Sequence, residues 1–473
     1  MDAESDGARD AALPWPACAL GALAAVVALL ALPVPISPDT YLHLATGRLV
    51  AGGVIPVTDP FSFTLRGAPW LAHEWLAARL FYACAQEGLG LAVWLCAACV
   101  IAALGATALA MRASGVRSAA AQALALAWAL GLIAPLFKVR PHVPALVPLA
   151  LVCWIVRRFQ RGGPARELIA LPPLFALWAN LHGSFPVGAL PFAAAAIDLA
   201  RGERRRLATL AAAAAACAAA CALNPFGLQL FALPLRFLGG MPALDSALEW
   251  RAPTLADAPL QIVLLVAAVA ALLAARGGAS PGERAAALAT LALALNARRH
   301  GALAAVVASP ALAQSFATLP LGRWSAPRPA ALSGAAALAL ALTLPWAAFH
   351  DFRYPGQFPA RALLVLERSG DAGHIFHEAE LGGLLAWKLG PERGTFIDFR
   401  AEVFGGTPVA ADYRALLEAA PDWRLVADRY ALAWLLVLRT RPLAEAAAHD
   451  PGWAVAAVDE RFVLFGRPRV SAR

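Results

Sequence analysis

Long apolar runs separated by short polar loops fill the first three quarters of the chain. A helix needs about 20 apolar residues to cross a bilayer. Runs of that length or nearly so lie near 15–35, 86–110, 118–137, 143–157, 167–181, 184–199, 207–224, 259–275, 285–297, 301–318 and 329–349. That pattern predicts about eleven spans. One polar stretch interrupts it, Ser37 to Trp75, where Gly47, Gly52, Gly53, Pro56 and Pro60 mark a fixed turn structure rather than a loose linker. From about His350 the pattern changes to short strand-like runs, HIFHE (374–378), TFIDF (395–399), WLLVL (434–438), WAVAAV (453–458) and FVLFG (462–466), with helical stretches between them. Such alternation predicts a compact α/β unit. The expected architecture is mainly α, a polytopic transmembrane bundle over 1–349 with the loop 36–75, followed by a small α/β domain over 350–473.

Composition agrees with the pattern. The chain is 60% hydrophobic and 15% charged with a mean hydropathy of +0.63, against about 25% charged residues in soluble domains. The net charge of +8 is no nucleic-acid signal, because the arginines sit in short loops between apolar runs. Arg112, Arg117, Arg157, Arg158, Arg161, Arg166, Arg201, Arg204 to Arg206, Arg276, Arg284, Arg323 and Arg328 mark one side as cytoplasmic. The N-terminus then lies inside, the first segment is a retained span, and both 37–75 and the C-terminal domain lie outside. The seven cysteines fall in or beside apolar segments, with none after Pro225. They read as small buried residues and not as a disulfide framework.

Candidate chemistry gathers on the outer side. Asp39 and His43 fall one helical turn apart if the segment after Pro38 is helical, which suits a carboxylate general base with a histidine beside it. Asp39 at the head of a short interfacial helix capped by Ser37 is the structural alternative. Asp59, His73 and Glu74 add to the same loop, while Trp70 and Trp75 fit interface anchors. His73–Glu74 alone is too few ligands for zinc, and no metal or cofactor is expected. KVRPH (138–142) places Lys138, Arg140 and His142 at an outer helix end, and NLHG adds Asn180 and His182. NARRH (296–300) is the densest outer basic cluster, with Arg298 and Arg299 suited to a phosphate. Glu249 and Arg251 of EWR read as a local ion pair, and Asn224 as a cap. No Walker A loop, GxGxxG turn or HExxH motif occurs.

The run D39-T-Y-L-H43-L-A-T-G47-R48, followed by G53-V-I-P56-V-T-D59-P60-F61-S62-F-T and P69-W70-L-A-H73-E74-W75-L, resembles a group of bacterial polytopic proteins. That group is related to the C-type glycosyltransferases, such as the dolichyl-phosphate-mannose protein mannosyltransferases. WANLHG (178–183), LNPFG (223–227), EWRAP (249–253), the RRH near 299 and GGLLAWKLGPERGTFIDFRAE (382–402) are further marks. The resemblance implies an enzyme of the bacterial inner membrane. It would take a sugar from a polyprenyl-phosphate carrier to a glycan, lipid or protein acceptor on the outer face, amid membrane lipid, with Asp39 as catalytic base. Thr40 stands where the pattern often has a second acid. A transporter of lipid-linked saccharides, or a non-catalytic envelope-assembly protein with the same fold, are the competing readings.

Overall fold

The computed structural model describes residues 36–233, 248–275, 277–318, 358–370 and 373–468. The expected spans 15–35 and 329–349 lie outside the described residues, as do Arg276, Arg323 and Arg328. Each of the other nine apolar runs is helical. They form α3 (Leu89–Ala113), α4 (Ala119–Ile133), α5 (Leu146–Gln160), α6 (Leu171–Leu181), α7 (Ala189–Leu199), α8 (Arg204–Ala220), α9 (Pro259–Ala274), α10 (Pro281–Asn296) and α11 (Gly301–Phe316). By length and composition two are able to cross a membrane, α3 and α4 with its 3-10 extension to Leu136, and Phe185–Leu199 and Pro259–Ala274 are shorter apolar helices. Ahead of them lie α1 (Pro38–Ala51) and α2 (Trp75–Glu87). The apolar runs did not announce α2, which carries Arg79 and Glu87 and serves as a bracket for α1. The two helices meet at Gly47, where a Cβ would lie 2.2 Å from the Ala78 carbonyl oxygen.

The C-terminal residues form α12 (Ala360–Arg368), α13 (Gly382–Arg393), α14 (Pro408–Leu417), α15 (Trp423–Arg429) and α16 (Pro442–Ala448), around the strands β1 (His374–His377), β2 (Leu432–Leu438), β3 (Ala454–Val458) and β4 (Phe462–Gly466). The sheet order is β1-β2-β4-β3, with β1 parallel to β2 and β4 antiparallel to both its neighbours. Four of the five expected strands therefore form. TFIDF does not, because its backbone serves the first loop. Thr395 bridges Ser62, and the Phe396 amide donates to His377 Nε2 at 2.9 Å.

One apolar core joins the two ends of the chain. Leu42 and Ala45 of α1 and Phe61, Trp70 and Ala72 of the first loop pack in the same cluster as Phe376, Phe396, Phe404 and Phe465. Gly383 lets α13 rest on the start of α1, since a Cβ there would lie 2.6 Å from the Pro38 carbonyl oxygen. Arg48 fastens the other end of α1 by donating to the Trp387 and Ala386 carbonyls at 3.1 and 3.3 Å.

Candidate active site

Pro38 opens α1 with its φ already set for a helix, and Asp39 follows in the first turn, where the helix dipole favours a carboxylate. Ser37 occupies the N-cap position without a side-chain cap bond. Thr40 Oγ1 donates instead to the Val139 carbonyl at 2.8 Å, which draws the 138–142 segment against the head of α1. The Arg140 guanidinium thereby reaches Asp39 at 2.7 Å and Glu249 at 2.5 Å, bridging the two carboxylates. Lys138 and Arg299 add positive potential at Asp39. Among the described residues neither the Lys138 nor the Arg299 side chain makes a hydrogen bond or ion pair; Arg299 lies over the Trp250 ring, 3.9 Å from its centroid.

The two carboxylates on Arg140 are tuned in opposite directions. Burial pushes the Asp39 carboxyl above the ordinary aspartate range, and Arg140 only partly offsets it. At Glu249 burial acts in the same sense, but Arg140 and Arg299 outweigh it and hold the pKa down at about 2. For Arg140, burial opposes the charged form, while Asp39 and Glu249 more than restore it and the pKa is raised.

A second set of contacts centres on Glu74, the N-cap residue of α2. His182 Nε2 lies 3.2 Å from Glu74 Oε1, and His43 and His73 each place Nε2 at 3.6 Å from the carboxylate. The Ser184 amide donates to His182 Nδ1 at 3.1 Å, which puts the His182 proton on Nε2, facing Glu74. That tautomer donates a hydrogen bond and cannot ligate a cation through Nε2. Among the described residues no group of three or more His, Cys, Asp or Glu is arranged to hold a metal ion. Burial lowers His43 to about 4 and His142 to about 3, so both rings are neutral near pH 7. His142 and His182 meet edge to face at 6.5 Å.

Of the residues singled out from sequence, the structure brings together Asp39, His43, His73, Glu74, Lys138, Arg140, His142, His182 and Arg299. Three are used elsewhere. Asp59 is 1% exposed and belongs to the shared core, where Arg400 binds it at 2.8 Å and Asp398 at 2.6 Å. Asp59 also accepts from the Phe61 amide at 3.0 Å, so it fixes the loop rather than facing the Asp39 cluster. Arg298 turns to Asp257, at 3.5 Å to the carboxylate and 3.1 Å to the carbonyl. Asn180 spends its amide on structure, accepting from Trp75 at 2.8 Å and donating to the Ala176 and Leu223 carbonyls. Glu249, read from sequence as a local ion pair, is instead a full member of the cluster. Its signal in the sequence was the EWR run on the side read as outer. Arg400 escaped notice because its partner Asp59 is 341 positions away.

No family model and no curated protein sequence matches the chain. Solved structures do. The oligosaccharyltransferase of Archaeoglobus fulgidus, crystallised with a tethered acceptor peptide containing the NVT sequon, aligns with a TM-score of 0.55 at 12% identity, over 90% of this chain and 69% of the other. The arabinofuranosyltransferase AftD from mycobacteria aligns at 0.51 with 16% identity over 96% of this chain, and a mutant form of it at 0.54. The chain spans about two fifths of that enzyme, 40%. Both proteins are C-type glycosyltransferases, and the chain shares the fold of that group.

Proposed function

We propose that the chain is a membrane glycosyltransferase that moves a sugar from a polyprenyl-phosphate carrier to an envelope acceptor, with Asp39 as general base. The shared fold supports the reaction class. The observation that carries the proposal is the charge arrangement: a carboxylate at 2.7 Å from Arg140, with the Lys138 and Arg299 side chains beside it making no hydrogen bond or ion pair among the described residues. Uncommitted cations next to a base are what a phosphate leaving group needs.

In the proposed reaction the acceptor hydroxyl oxygen attacks the anomeric carbon and Asp39 takes its proton. The bond from that carbon to the phosphate oxygen breaks, and its electron pair leaves on the polyprenyl phosphate. Lys138 and Arg299 stabilise the added negative charge, while Arg140 keeps the Asp39 carboxylate oriented. The arginine-rich loops support an orientation with this end of the bundle on the outer face, where the donor lipid and acceptor would reach it.

The test is transfer of a lipid-linked sugar by purified Asp39→Asn protein at wild-type abundance. General-base loss is worth roughly 10²- to 10⁴-fold, so transfer should fall by that factor while binding of polyprenyl phosphate persists. Transfer at the wild-type rate would refute the assignment. An unchanged envelope phenotype in cells carrying Asp39→Asn would favour a non-catalytic assembly role.

A further inference from the structure

Two guanidiniums serve the candidate site, and both are held by consecutive residues of one turn. The 3-10 turn Leu248–Trp250 presents Glu249 to Arg140 at 2.5 Å and the Trp250 ring to Arg299 at 3.9 Å. Arg299 itself sits in the turn Arg298–His300, whose flanks are tied back on both sides. The Arg298 amide donates to the Arg251 carbonyl at 3.0 Å, and the Arg298 carbonyl accepts from Gln261 Nε2 at 3.0 Å. His300 Nδ1 is 3.0 Å from the Leu293 carbonyl. The backbone under Arg299 is thus fixed, but the long side chain still has to be oriented. An aromatic face can do this without consuming any N–H donor, because the attraction acts on the guanidinium as a whole. A carboxylate in the same place would neutralise the arginine, as Asp257 does for its neighbour Arg298.

We propose that Trp250 is a positioning residue that stacks on Arg299 and holds its N–H groups free for the phosphate of the lipid donor. The inference rests on the phosphate-binding reading given above and adds the residue that makes it work. It also explains the unlike treatment of two adjacent arginines. Arg298 is spent on a salt bridge, whereas Arg299 is oriented by an uncharged face and keeps its donors.

The experiment measures binding of undecaprenyl phosphate to the full chain in detergent micelles, with inorganic phosphate as competitor. The variants are Trp250→Ala, Trp250→Phe, Arg299→Ala and the double variant Trp250→Ala/Arg299→Ala. Trp250→Ala should weaken binding about tenfold, within the range of a partly desolvated cation–π contact, and Trp250→Phe should recover most of it. Because Trp250 acts through Arg299, the double variant should bind no more weakly than Arg299→Ala alone. Wild-type affinity in Trp250→Ala, or losses that multiply in the double variant, would overturn the positioning role. Wild-type affinity in Arg299→Ala would overturn the phosphate reading and this role with it. Trp250→Phe with a wild-type melting temperature and restored binding separates positioning from a general loss of fold.

Discussion

At the C-terminal end of α5, Glu283 is 3% exposed and both carboxylate oxygens find donors. Ser114, Gln314 and Arg157 reach Oε1 at 3.0, 2.8 and 2.8 Å, and the Ser280 amide reaches Oε2 at 2.7 Å, with Arg161 at 3.8 Å. At the other end of α5, roughly 22 Å away for fifteen residues, Asp39 has one guanidinium partner and its side chain is 16% exposed. Lys138 and Arg299 stand beside it and add positive potential. Both ends hold buried carboxylates against arginines. The first closes on itself and pins α10 to α3, α5 and α11. The second leaves the Lys138 and Arg299 side chains without a hydrogen bond or ion pair among the described residues, which a purely structural network has no reason to do.

Removing Glu283 should have the largest effect on stability. Glu283→Ala strands Arg157 and two polar donors, and loss of one partner of a buried pair costs about 3–5 kcal/mol. A thermal melt should show it, with Asp39→Asn nearly unchanged in the same assay. If the two variants melted alike, the contrast between the ends would collapse. Next comes Gly383→Ala, whose Cβ meets the Pro38 carbonyl and pushes α13 away from the head of α1. Overpacking of this kind costs about 1–3 kcal/mol, and here it should also lower transfer activity because Asp39 is the next residue.

A pH series sharpens the comparison further. Glu249 is held at about 2, so its contribution to stability is present above its ordinary pKa and is lost as the pH falls from about 4.5 toward 2. Glu249→Gln protein should lack that part of the acid loss in melts across the window. Asp39 has the opposite sign. Its raised pKa favours the fold at low pH, and that contribution disappears as the pH rises through the folded value. Transfer, which needs the carboxylate, should therefore fail on acidification at a higher pH than an ordinary aspartate would allow. The smallest effect is expected for Arg298→Ala. Its partner Asp257 is 36% exposed, so the pair adds little to stability, and binding of polyprenyl phosphate should stay within twofold of wild type.

The helices were legible in sequence because apolar length is a local signal, and the Asp39–His43 spacing was legible because a helical turn is local as well. Asp59 was misplaced for the converse reason. From sequence it is one more acid in a loop dense with them, and only the Arg400 side chain, brought in from the C-terminal part of the chain, reveals it as a clamp. TFIDF has the residues of a strand, yet its amides and carbonyls pair with the first loop and with His377, a choice set by tertiary packing. Arg298 and Arg299 are indistinguishable neighbours in the sequence. What separates them is Asp257 on one side and Trp250 on the other.

The core shared by Phe61, Trp70, Phe396 and Phe404, with Arg400 over the Trp70 ring at 4.4 Å, has a consequence in time. Asp59 leaves the ribosome 341 residues before its partner. At about 5–20 residues per second, that is a delay of roughly 17–70 seconds. Throughout it the loop that carries the catalytic candidate has a charge and several aromatic rings with nowhere to go. The clamp on the first loop can close only once Arg400 and the aromatic residues that pack with it have been made, so the segment that follows Asp39 waits unpinned for most of that interval.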